Sequence, residues 1–87
     1  MRTQLVAARA AALFASDLPS GSSPSAGDVA AAIAHAIHVC GGSRGCVASL
    51  AAAYGECPET AAPRMRWARG VVLTVYGPER TDLALAA

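Results

Sequence analysis

Lysine is absent from this chain, and all seven cationic residues are arginine. The glycine-rich stretch Gly41-Gly42-Ser43-Arg44-Gly45 therefore lacks the Lys-Ser/Thr pair of a phosphate cradle, and it follows a helical pattern rather than a strand. Aromatic residues are only 5% of the chain and large apolar side chains are scarce. Alanine supplies 22 residues of the 54% hydrophobic fraction, so the expected core is thin and depends on close helix–helix contact. No apolar run is long enough to cross a membrane. Three cysteines without paired spacing argue against a secreted disulfide framework and point to a reducing cytoplasm. The net charge of +1 gives no global attraction for nucleic acid or anionic lipid, so electrostatic recognition has to be local. At 87 residues the chain is expected to form one domain.

What the chain does contain is helical periodicity. Arg2 to Ser16 is rich in strong helix formers, with Val6, Ala10, Leu13 and Phe14 as a narrow apolar stripe. Arg9 interrupts the apolar run too early to leave the hydrophobic segment of a signal peptide, so this reads as a retained helix. A helix of this length is marginal alone and needs the rest of the domain, or a second copy, to pack against. Pro19 to Pro24 has no apolar residue other than its prolines and reads as a loop. Ser25 then caps a helix whose Val29, Ile33, Ala36, Ile37 and Cys40 share a face, and Gly41-Gly42 ends it.

From Ser43 to Tyr76 two further helices are expected. Cys46, Val47, Leu50, Ala51 and Tyr54 make one stripe, with Ser43 as N-cap and Gly55 as the stop. Ala61, Met65, Ala68, Val72, Val75 and Tyr76 make the next, with Thr60 as its cap and Pro63 in its first turn. Glu79 to Ala87 reads as a frayed tail.

Leu50-Ala51, then Gly55, then Pro58-Glu59-Thr60 opening the next helix, resembles the helix-turn-helix of bacterial DNA-binding domains. In that motif a small Ala lets the helices approach and a Gly lets the chain turn. The resemblance implies duplex DNA as a partner. The span from Thr60 to Tyr76 holds Arg64, Arg66 and Arg69 and no acid, and such arginines contact phosphates or base edges. Arg66 and Arg69 share one flank of the apolar stripe and Arg64 lies on the other. Against this, Glu56 and Glu59 occupy the helix end that would enter a major groove, where they complement the helix dipole and repel phosphate. The segments Leu13–Leu18, Arg44–Cys46, Pro58–Thr60 and Arg64–Ala68 together resemble a group of short actinobacterial helical proteins. That likeness implies a bacterial, cytoplasmic setting and no particular activity.

Candidate chemistry is sparse. His35 and His38 lie one turn apart, a metal-binding spacing, but on the face away from Val29 and Ile33, and two ligands do not make a site. Arg44 and a helix start beside Cys46 would favour a thiolate there and a thiol switch with Cys40, but a buried, small, inert Cys is the ordinary case. No Cys/His pair has an orienting acid and no Ser sits in a strand-to-helix elbow, so neither an enzyme, a cofactor nor a metal is expected. Trp67 lies off the main stripe beside Val71 and Arg64, a second apolar patch that the N-terminal helix is expected to cover, or that a partner docks on. The end Ala84–Ala87 resembles the bacterial trans-translation tag read by a Clp-type protease, which would make Leu85, Ala86 and Ala87 a protease-recognition tail.

These readings define an all-α chain, a small three- to four-helix bundle. Residues 1–18 form an N-terminal helix, 19–24 a loop, 25–77 a helix-turn-helix-like core and 78–87 a C-terminal tail. The expected function is non-catalytic and regulatory, with duplex DNA bound through Arg64, Arg66 and Arg69. The alternative is a protein–protein interaction module using Trp67 with the same arginines. A homodimer fits either, and no membrane partner is expected.

Overall fold

The computed structural model of the chain describes residues 2–77. Four helices account for most of them: α1 (Arg2–Ala15), α2 (Ala26–Cys40), α3 (Ser43–Glu56) and α4 (Pro58–Tyr76). The described residues contain no strand, and the chain is a small all-α bundle.

The bundle is built around α1, which packs against each of the other three helices. Ala10, Ala11, Ala12 and Leu13 are consecutive and all at most 1% exposed. Four successive positions point in nearly every direction round a helix, so burial of all four requires neighbours on every side. Three of them being alanine lets those neighbours approach closely. The core is therefore not confined to residues 25–77. Its largest fully buried side chains are Leu13, Val29, Val72 and Cys46, one from each helix. Arg9 lies over the ring of Tyr76 at 3.8 Å, whereas Phe14 and Ser16 meet Arg64, so α1 and α4 run antiparallel.

The start of α2 follows the sequence closely. The Ser25 hydroxyl accepts from the Asp28 N–H at 3.1 Å, which satisfies one of the free donors of the first turn. The helix ends where Gly41 enters the left-handed region at φ 80° and its N–H returns to His38.

The α3–α4 region corrects four expectations. Ser43 is the first residue of α3, and Gly42, at φ 122°, takes the cap position. Gly55 does not stop α3; it lies inside the helix without a positive φ. The break is the single residue Cys57, at φ −152° and ψ 80°. Pro58 explains it: the proline ring excludes the preceding residue from the helical region and supplies no N–H to continue the ladder. Cys57 thus closes α3 through its N–H to the Ala53 carbonyl at 2.9 Å, and its own carbonyl opens α4 by accepting from Thr60 and Ala61. Thr60 is accordingly inside α4, its hydroxyl donating back to Cys57 at 3.2 Å. Pro63 falls in the second turn, leaving the Glu59 carbonyl without its partner four residues on. Both residues are exposed, where that loss costs least.

Candidate functional site

The first turns of α4 carry the residues singled out by the sequence, and they divide sharply. Arg64 points inward. Its Nε donates to the Phe14 carbonyl, one Nη to the Ser16 carbonyl and the other to the Ser20 hydroxyl, each at 2.9 Å. The two carbonyls belong to the end of α1 and the residue just beyond it, where backbone acceptors have no helical donor left and the helix dipole is negative. Arg64 is therefore the C-terminal cap of α1, supplied by a helix about 50 residues downstream. Its guanidinium also lies 5.6 Å from the Phe14 ring and 5.1 Å from that of Trp67. Burial pulls its pKa down from the ordinary arginine value. Three oxygen partners compensate the desolvated charge.

Trp67, one turn on from Arg64, is half-buried and donates its indole N–H to the Ser22 carbonyl at 2.9 Å. That bond ties it to the loop between α1 and α2, and its ring also packs on the buried core to which α1 contributes. Arg64 holds that loop at Ser16 and Ser20 and Trp67 holds it at Ser22. Between the loop and α4 lies an open groove of about 360 Å³. Pro24, Trp67, Val71 and Val75 give it an apolar lining, and Ser22, Ser23 and Thr74 add hydroxyls. Gly70 opens its middle: a Cβ there would meet no atom within 4 Å. The loop wall and Gly70 are the parts of this site that carry no recognisable signal in the sequence.

Arg66 and Arg69 point outward. Both are exposed, Arg66 lines the groove, and neither has an ion pair or hydrogen bond among the described residues. The three arginines expected to act together are thus one internal cap and two solvent-facing charges. Glu56 and Glu59 stand exposed at the α3–α4 junction, with the Cys57 thiol 3.5 Å from the Glu59 carboxylate. The tail residues Leu85, Ala86 and Ala87 lie outside the described residues.

His35 and His38 are both exposed, and no His, Cys, Asp or Glu gather in threes with metal-binding geometry among the described residues. At the α2–α3 turn, Cys46 is fully buried and its thiol donates to the Ala36 carbonyl at 3.6 Å. Its pKa is pushed up to about 11, first by burial and then by the hydrogen bond and charge of Cys40. Of the two readings of Cys46, the structure fits the buried thiol and not the thiolate: desolvation outweighs the helix start and Arg44, which is exposed.

Comparison with family models, curated proteins and solved structures gives no match to this chain. No helix of the described residues is long and apolar enough to cross a membrane.

Proposed function

We propose that this chain is a small non-catalytic helical module that binds a protein partner, taking an apolar side chain flanked by carboxylates into the groove between residues 22–24 and α4. The observation that carries this reading is the Trp67 indole. Its N–H is held by Ser22 while its ring lines an open apolar groove with exposed Arg66 at the edge. A tryptophan fixed in this way offers a large apolar surface with little rotamer entropy left to lose on binding. A partner carboxylate offers Arg66 the bidentate pairing that no described group provides. Gly70 costs a helix about 1 kcal/mol relative to Ala, and an open groove is what its missing side chain leaves behind.

Exposure of both Arg66 and Arg69 on α4 favours a second reading, a regulator that grips duplex phosphates from that flank. One pair of experiments separates the two. Short random peptides displayed on phage and selected on the immobilised chain should enrich an apolar anchor next to Asp or Glu. Gly70→Leu, which fills the groove, should abolish the enrichment. Titration with a duplex at two salt concentrations tests the alternative. Steep weakening by salt that Arg66→Ala with Arg69→Ala flattens, together with no groove-dependent peptide, would replace the first reading with the second.

A further inference from the structure

We propose that Cys40 and Cys46 are a dithiol that closes to an intramolecular disulfide on meeting a low-molecular-weight disulfide, stapling the end of α2 to the start of α3. The backbone brings the two residues together. Gly41 and Gly42, both at positive φ, reverse the chain within two residues. The first turn of α3 then leans directly on Cys40: a Cβ at Gly45 would stand 1.9 Å from the Cys40 carbonyl oxygen and 3.1 Å from its Cβ. Only glycine permits that approach. Cys46 follows immediately, and its sulfur lies 3.6 Å from the Ala36 carbonyl. Ala36 is one helical turn before Cys40, so the two share a face of α2, and the Cys46 sulfur rests on that face. The elevated Cys46 pKa, raised in part by Cys40, is consistent with the contact.

Accessibility assigns the order of events. Cys40 is half-buried and Cys46 fully buried, so the external disulfide meets Cys40 first. The Cys40 thiolate attacks one sulfur of the reagent, forming a mixed disulfide and releasing one thiolate. Cys46 then gives its proton to that thiolate and attacks the Cys40 sulfur, and the second thiolate that leaves takes up the proton Cys40 lost in forming its own thiolate. The two cysteines lose two electrons and two protons together, and the reagent is reduced to two thiols. Cys57 is exposed, pairs with Glu59, and takes no part.

The probe is oxidised glutathione on the full chain, followed by thiol titration in denaturant and peptide mapping. In a Cys57→Ser chain both remaining thiols should disappear, with a Cys40–Cys46 link in the map and no glutathione retained. Cys40→Ser, a change at a half-buried position, should leave Cys46 unreacted in the folded chain. A stable glutathione adduct on Cys40 beside a free Cys46 would overturn the proposal, as would a Cys46 that reacts equally well without Cys40.

Discussion

Arg64 and Arg66 stand two residues apart on one helix, carry the same charge and have opposite environments. Arg64 is drawn under the loop, where it serves the Phe14 and Ser16 carbonyls and the Ser20 hydroxyl. Arg66 stays in solvent at the groove edge, and Arg69 likewise faces out. Two residues are a rotation of about 200° on an α-helix, which puts the side chains on opposite sides. What each side chain then does depends on what the fold brings to that side. On one side it brings the unsatisfied end of α1, and on the other a groove edge that offers Arg66 no acceptor among the described residues. A local count of three basic residues therefore overstates the charge α4 can offer a ligand.

The contrast breaks most readily in stability. Arg64→Ala removes three charge-assisted hydrogen bonds and strands part-buried carbonyls at the end of α1. We expect a loss of about 2–4 kcal/mol, read from denaturant unfolding. Arg64→Lys should recover only part of it, because one ammonium cannot reproduce the planar fork that serves separate acceptors. Arg66→Ala should stay within about 0.5 kcal/mol of the parent, as surface changes without partners do. Equal effects of the two alanine variants would erase the distinction between cap and free charge.

The same long-range dependence explains what the sequence discloses and what it hides. Helical class, the Ser25 cap and the Gly41-Gly42 stop are local, each set by residues within a turn, and all can be read directly. The α3–α4 break is also local, but it falls at Cys57 and not at Gly55. Gly55 permits a left-handed turn without requiring one, whereas Pro58 forces Cys57 out of the helix. Permission is weaker than prohibition. Ala10–Leu13 could not be recognised as the hub, because alanine fits an exposed face as well as a buried one. The partners of Arg64 are largely backbone carbonyls, which no side-chain pattern marks. Of the candidate site, the residue types at 66, 67 and 69 could be picked out, but the loop that makes a groove beside them could not.

A smaller effect sharpens the comparison at the next residue inward. Trp67 is held by a single neutral hydrogen bond where Arg64 has three charged ones. Trp67→Phe keeps an aromatic ring in the groove but removes the donor to Ser22 and some of the indole's contact area. It should cost about 1 kcal/mol, well below Arg64→Ala, with faster amide exchange confined to residues 20–23. Unfolding as severe as that of Arg64→Ala would mean that the loop hangs mainly on the indole and that the arginine is secondary.

The smallest effect tests whether α4 begins where the cap requires. Arg64 reaches α1 only in the register set by the Cys57–Pro58 break, with α3 running helical through Gly55. Gly55 is exposed, and a Cβ there would meet no atom within 4 Å. Gly55→Ala should then stabilise the chain by about 0.5–1 kcal/mol, because alanine loses less backbone entropy in a helix interior. A left-handed turn at the same residue predicts the opposite sign, since a Cβ in that conformation is strained. A lowered melting temperature for this variant would return the turn to Gly55, shift the start of α4, and remove the register on which the difference between Arg64 and Arg66 rests.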